Sequence, residues 1–264
     1  MRSESTTEGR EGPAIVVGNS RGLGAALTEQ LLEGAVPWVG GIARTAVEDI
    51  KGFARWSESG RYHHCTGDIA LPSCVEALAA FVPTMPPGPL TVIFNASCID
   101  ADVVADHSID FPTFSQVNRV GIDGFGHMLQ AVERQLLERR GTLVAISSIN
   151  ALMPPVVEPR LAYAPTKAYL HMAMRCLATL WEPRVRLVTV HLGRIEDSPG
   201  KNVLGLSKPS YREAARFIVR NIRREARSQE LFFPWPYRLA YPLLWRFLPD
   251  AVYVRLLRFL LGCS

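Results

Sequence analysis

The sequence predicts an α/β fold: a doubly wound parallel sheet of about seven strands. Three observations predict it. Short apolar runs of strand length alternate with helix-forming segments, which calls for parallel strands joined by right-handed crossovers. The first of these runs, Ala14-Ile15-Val16-Val17, leads at once into the glycine loop Gly18-Asn19-Ser20-Arg21-Gly22-Leu23-Gly24 and then into a helix. Polar residues, Ser20, Arg44, Asp68 and Asn95, fall at the carboxyl ends of successive runs, where a parallel sheet collects its ligands.

Taken in order, Ala14 to Val17 reads as a strand buried on both faces, and Ala25 to Glu33 as the helix after the loop. Strand, glycine loop and helix together expose backbone N–H groups at a helix N-terminus, an arrangement that binds phosphate. Val36 to Ala43 is the second strand, ending at Arg44-Thr45. Arg61 to Thr66 is the third, with Gly67-Asp68-Ile69 at its end, and Ser73 to Phe81 is a helix closed by Pro83, Pro86, Pro87 and Pro89. Leu90 to Phe94 is the fourth strand and runs into Asn95-Ala96-Ser97. One long helix is expected from about Phe114 to Arg140, carrying Asn118 and three glycines, followed by a fifth strand, Gly141 to Ile146, that delivers Ser147 and Ser148. A proline-stiffened loop, Met153 to Arg160, precedes a largely apolar helix from Tyr163 to about Trp181, expected to pack on the sheet and on a partner subunit. Val185 to Val190 and Leu231 to Phe233 complete the sheet.

Composition narrows the class. The chain has 264 residues, enough for one large core. Its five cysteines are scattered, with no Cys-x-x-Cys pair and no zinc-finger clustering, so no metal is expected and reduced thiols in a cytoplasmic setting are. Residues 1–12 are polar and acidic, which suits a disordered tail and not a secretory signal. The net charge of +4 does not by itself imply nucleic acid. The arginines Arg212, Arg216, Arg220 and Arg224 recur every four residues as the solvated face of an amphipathic helix, without the aromatic interleaving that stacks on bases. Residues 235–264 are basic, aromatic and amphipathic, and none of their apolar runs reaches the ~20 residues that span a bilayer. This helical extension suits a subunit contact, a lid over the domain of residues 13–234, or attachment to a membrane surface.

The chemistry centres on Tyr163 and Lys167. At i and i+4 of a helix they share one face, and an ammonium beside a phenol favours the phenolate. A nearby serine hydroxyl can hold a substrate carbonyl oxygen while the tyrosine moves the proton. Pro165 between them is tolerated where the helix begins. At the end of the second strand there is no acid to accept from a ribose hydroxyl, and Arg21 and Arg44 together favour the 2′-phosphate of NADP(H) over NAD(H).

These residues, in this order and at roughly these intervals, resemble the short-chain dehydrogenase/reductase (SDR) family from about Pro13 to Gly200: the glycine loop, Asp68, Asn95-Ala96, Asn118, Ser148, Tyr163/Lys167 and Gly193-x-Ile195. The resemblance implies a Rossmann fold with a nicotinamide cofactor across the strand ends. It implies that Tyr163 is the general acid-base, that Lys167 binds the nicotinamide ribose and depresses the tyrosine pKa, that Ser148 orients the substrate oxygen, and that Asn118 holds a water in the proton relay. Cofactor contacts are expected from Gly18, Asn19, Ser20, Arg21, Gly22, Leu23, Gly24, Arg44, Asp68, Ile69, Asn95, Ala96, Tyr163, Lys167, Gly193 and Ile195. The expected activity is hydride transfer between NADP(H) and an apolar carbonyl or secondary alcohol, in a homodimer or homotetramer. A nucleotide-binding relative without turnover, used for sensing or assembly, is the alternative. The chain departs from the family pattern at Ser97, Leu192, Pro165 and Asp197, the last standing where a threonine commonly binds the carboxamide.

Overall fold

A computed structural model of the protein describes residues 11–104, 108–152, 160–198, 207–224 and 227–236, together with Pro249, Val252 and Arg255. Seven parallel strands form one sheet: β1 (Ala14–Val17), β2 (Val39–Ala43), β3 (Tyr62–Thr66), β4 (Thr91–Phe94), β5 (Thr142–Ser148), β6 (Arg186–Leu192) and β7 (Gln229–Phe233). Their spatial order is β3-β2-β1-β4-β5-β6-β7. The order reverses between β1 and β4, so the chain leaves these two neighbours toward opposite flanks and opens a crevice at their carboxyl ends.

Helices cover both faces. On one face α1 (Gly22–Glu33) and α7 (Tyr211–Ile222) pack on Val16, Ile93, Val144 and Val188 through Leu27, Leu31, Ala215 and Ile218. On the other, α3 (Cys74–Ala79), α5 (Gly124–Glu138) and α6 (Tyr163–Trp181) cover Ile15, Val92, Phe94 and Leu143 through Leu78, Met128, Leu136 and Leu170. Strands buried on both sides explain why the apolar runs are continuous instead of alternating. A short α2 (Phe53–Glu58) seats Trp56 against Tyr62 beside β3, and α4 (Phe111–Asn118) leads toward α5.

Several sequence expectations are corrected. The second strand begins at Val39, because Pro37 lacks the N–H that a central strand needs. The single helix expected over 114–140 starts earlier and is interrupted: after Asn118 the backbone widens into a π-turn, Arg119–Asp123, before α5 begins at Gly124. Small residues allow that widening, since a Cβ on Gly121 would come within 2.9 Å of Thr166 on α6. The seventh strand starts at Gln229, two residues before the apolar stretch that marked it in the sequence. Of the tail expected over 1–12, Glu11 and Gly12 are engaged: Glu11 pairs with Arg223 at 2.8 Å, and Gly12 packs against Pro89. In α7 a capping box of Ser210 and Glu213 starts the helix, while Arg212, Arg216 and Arg220 line its exposed face. Arg224 lies beyond the helix end. Residues 1–10, the loop at 153–159, the segment 199–206 and nearly all of the extension expected over 235–264 lie outside the described residues.

Candidate active site

The glycine loop closes the first βα turn. Gly18 has φ +83° and Gly22 φ +54°, conformations that L side chains rarely adopt. A Cβ on Gly18 would also stand 2.8 Å from Ala96, so the loop and the turn after β4 touch backbone to backbone. Asn95 joins the two strand ends directly, its Nδ2 donating to the Gly18 carbonyl at 2.8 Å. The N-terminus of α1 has no side-chain cap, and its first-turn amides face the crevice mouth unshielded by any carboxylate of their own. That donor set, a helix N-terminus behind a bent glycine loop, fits a pyrophosphate.

Not every loop residue offers its side chain to that crevice. Asn19 is fully buried, and its amide donates to the Tyr62 hydroxyl at 2.6 Å, packed against Gly41, so only its backbone is left to meet a ligand. Leu23 and Ile69 are buried core residues. Ser20 is half-buried, whereas Arg21 and Arg44 are exposed, one in the loop and one directly after β2. Asp68 is half-buried at the end of β3, where its Oδ1 accepts from the Ala70 N–H at 3.0 Å.

Around the start of α6 the geometry is tight. Tyr163 is the first residue of α6 and Pro165 sits in its first turn, where no intrahelical N–H is required. Lys167 is 3% exposed; its Nζ donates to the Ile146 carbonyl of β5 at 3.0 Å and lies 5.6 Å from the centre of the Tyr163 ring. Burial pulls the Lys167 pKa down to about 8. The Ser147 hydroxyl donates to the Lys167 carbonyl at 3.1 Å, so of the two serines it serves the helix–strand junction. Ser148, at the last position of β5, accepts from the Asn150 N–H at 3.2 Å and donates to the Leu192 carbonyl at 3.4 Å. Asn118 ends α4 with its amide on the Phe114 carbonyl at 3.1 Å, immediately before the π-turn that packs Gly121 on α6.

Two features were not legible in the sequence. Asp102 is fully buried and takes the N–H groups of Leu161 at 2.6 Å and Ala162 at 2.7 Å, one on each carboxylate oxygen, so a residue from a distant loop holds the N-terminus of α6. Tyr211, the first residue of α7, lays its ring against Gly22, and its hydroxyl donates to Asp197 at 2.9 Å while its N–H donates to Glu196 at 3.0 Å. The Asp197 bond and burial push the Tyr211 phenol up to about 12, burial counting for more. Gly193 is half-buried and its N–H bonds the Phe233 carbonyl of β7 at 2.8 Å, while Ile195 is buried beneath this corner.

Comparison with known proteins bears on the fold and the family. No curated protein matches the sequence. Among solved structures, the chain is similar to a 3-ketoacyl-ACP reductase from Sinorhizobium meliloti 1021, with a TM-score of 0.73 at 20% identity over 84% of this chain and 96% of that one. A 3-oxoacyl-[acyl-carrier protein] reductase with bound NAD from Brucella melitensis superposes with a TM-score of 0.72 at 20% identity, covering 85% and 90% of the two chains. A serine dehydrogenase from Escherichia coli gives 0.67 at 16% identity, covering 84% and 96%. At such identities the likeness establishes the fold. The family itself comes from the sequence: the short chain dehydrogenase model matches residues 13–204, from the strand that carries the glycine loop to beyond the Gly193-x-Ile195 corner, and the chain belongs to that nicotinamide-dependent oxidoreductase family.

Proposed function

We propose that the protein is an NADP(H)-dependent oxidoreductase that interconverts a carbonyl and a secondary alcohol. The observation that carries this reading is the placement of Tyr163 and Lys167 on one stripe of α6, beside the end of the strand that bears Ser148. When bound, the nicotinamide supplies or accepts the hydride. The Ser148 hydroxyl holds the substrate oxygen, the Tyr163 hydroxyl gives that oxygen its proton in reduction and removes it in oxidation, and Lys167 favours the phenolate. Asn118, at the break before the π-turn, is the residue through which a water would reconnect Lys167 to solvent. The backbone of Gly18 to Gly24 suits the pyrophosphate, and Asp68, Asn95, Ala96, Gly193 and Ile195 frame the rest of the crevice.

The preference for NADP(H) rests on Arg21 and Arg44, both exposed, with no acid in the position directly after β2. The bound NAD of the Brucella reductase belongs to that protein. Self-association as a dimer or tetramer is supported by α6, which leaves Met172 and Leu180 59% and 74% exposed on the side away from the sheet. Cys65, Cys74, Cys98 and Cys176 are free thiols, which suits a reducing compartment. No helix among the described residues is long and apolar enough to cross a membrane. The apolar substrate class rests on the apolar content of residues 153–160 and 198–209, the two segments that by their place after β5 and β6 are expected to wall the pocket.

The test is Tyr163→Phe, with NADPH binding and NADPH oxidation measured against a panel of apolar ketones and aldehydes. Loss of nearly all turnover with retained binding is expected. Turnover unchanged in the variant overturns the assignment. Binding without turnover in the wild-type protein establishes instead the sensing or assembly role.

A further inference from the structure

His171, His191 and Glu230 come from three different elements, α6, β6 and β7, and meet on the flank of the sheet away from the glycine loop. The Glu230 carboxylate faces both imidazoles at once: Oε1 is 3.0 Å from His171 Nε2 and Oε2 is 3.2 Å from His191 Nε2. The three donor atoms all lie within 4.8 Å of one another. Four ligands on a tetrahedral zinc sit about 3.3 Å apart, given metal–ligand bonds of about 2.0–2.2 Å. The two short contacts run to different oxygens of Glu230, and a turn of that carboxylate to present one oxygen to both imidazoles draws in a set whose donor atoms already lie within 4.8 Å of one another.

The tautomer of His191 points the same way. Its ring is fully buried, stacked on Phe232 at 4.8 Å, with Nδ1 3.3 Å from the Ser148 carbonyl and Nε2 on Glu230. A neutral imidazole has one N–H and one lone pair, so one of these two contacts would set acceptor against acceptor. A cation on Nε2 resolves this. Nδ1–H then donates to the Ser148 carbonyl, the backbone bond that commonly orients a metal-bound histidine.

We propose that His171, His191 and Glu230 bind a divalent zinc-type ion, with a fourth position open to solvent beside Glu230, whose side chain is 38% exposed. The ion ties the helix that bears Tyr163 and Lys167 to the two strands at the edge of the sheet. Its role is to brace the end of β5 at Ser148, and it has no contact with the reacting atoms.

The test uses the full chain, stripped with a chelator and titrated with zinc by calorimetry, with cobalt as a spectroscopic probe. One zinc per chain, the ligand-field bands of a four-coordinate cobalt site and a zinc-dependent rise in Tm are expected. Glu230→Gln and His171→Ala, both at partly exposed positions, should weaken zinc binding by about a hundredfold or more and abolish the Tm rise while keeping the wild-type circular dichroism. No zinc binding by the wild-type chain, or equal binding by both folded variants, overturns the site. The first result leaves His191 an imidazolium paired with Glu230, and the second places the zinc elsewhere on the chain. Neither result bears on the Tyr163 assignment, which is read by NADPH oxidation.

Discussion

Lys167 Nζ bonds the Ile146 carbonyl at 3.0 Å and stands 5.6 Å from the centre of the Tyr163 ring, so one buried ammonium joins α6 to the strand that ends in Ser148. The two side chains meet because they are one helical turn apart and because β5 runs beneath that turn. Placing a cation there is costly. Lys167 falls from 10.5 to about 8 on folding, so the unfolded chain holds the proton more tightly. The penalty is present in full below about pH 8 and fades as the pH rises toward 10.5, where both states are neutral.

Lys167→Met should therefore separate stability from activity. At neutral pH the shift corresponds to about 3 kcal/mol of burial cost, set against the lost bond to Ile146, worth about 1.5–3 kcal/mol. The variant is expected to melt at or slightly above the wild-type Tm while NADPH-dependent turnover falls by about two orders of magnitude or more. A clearly lower Tm at pH 7 would show that the ammonium stabilises the fold.

Asp102 predicts the opposite pattern. Its two oxygens accept from consecutive N–H groups, Leu161 and Ala162, at the start of α6, where the helix dipole adds to the attraction. Asp102→Asn keeps the shape but turns an NH2 toward one of those donors. The variant should lose about 2–4 kcal/mol in urea unfolding, because a buried N–H is left without an acceptor and the charge-assisted bond becomes neutral. Since the segment it holds runs directly into Tyr163, kcat should fall while the NADPH Kd stays within a few-fold of wild type. Equal loss in both constants would make Asp102 a general fold residue.

Asp197 stands where the family commonly has a threonine, and its partner Tyr211 rests on Gly22 of the phosphate loop. A carboxylate at this mouth opposes the negative charge of a pyrophosphate, and the bond to Asp197 holds the Tyr211 ring over the glycine. Asp197→Thr removes the charge and releases the ring. NADPH should bind about 3- to 30-fold more tightly, corresponding to about 0.7–2 kcal/mol, and more so at low salt. A Kd that does not change with this substitution would show that Asp197 lies outside the path of the phosphates.

The middle of the sheet could be read from the sequence because its central strands are buried on both faces and so form unbroken apolar runs, as Leu143 to Ile146 does. Tyr163 and Lys167 could be read because helical spacing alone brings them together. Residues that act through the fold left no such trace. Asp102 reaches the N–H of Leu161 across 59 positions, and nothing local to it differs from a surface aspartate. His171, His191 and Glu230 have no shared spacing, because three elements deliver them. The π-turn after Asn118 leaves no mark in the sequence, since Arg119 to Asp123 continues the helical composition on both sides, and only the packing of Gly121 against Thr166 marks the place. Asn19 belongs to a loop that its glycines mark for a ligand, yet its side chain is buried, because Gly41 opposite has no side chain and leaves room for it.

The buried chain that starts at Asn19 gives the protein a pH dependence of its own. Asn19 Nδ2 donates to the Tyr62 hydroxyl at 2.6 Å, that hydroxyl meets His64 Nδ1 at 3.1 Å, and His64 Nε2 meets the Thr45 carbonyl at 3.1 Å. The donors run in one direction when Tyr62 donates to Nδ1 and His64 carries its proton on Nε2, so the network needs a neutral imidazole. Burial pushes His64 below its ordinary value of 6.5, outweighing the Thr45 carbonyl and the charge of Glu48. Burial likewise pushes Tyr62 up to about 12, which keeps it a donor. A histidine with a lowered folded pKa binds its proton less tightly than in the unfolded chain. Its stabilising effect is thus complete above about pH 6.5 and is lost as the pH falls below that value. His63, which stacks on Trp38, is shifted the same way by burial and adds to the same trend. Protonating His64 sets two donors against each other at Nδ1 and loosens Thr45, the residue after Arg44. The Tm should drop between about pH 7.5 and 5.5, and His64→Gln should show a smaller drop over the same range because one of the two imidazoles that burial shifts is gone. A wild-type Tm that holds level between those two pH values would show that this imidazole takes up its proton without disturbing the chain of bonds.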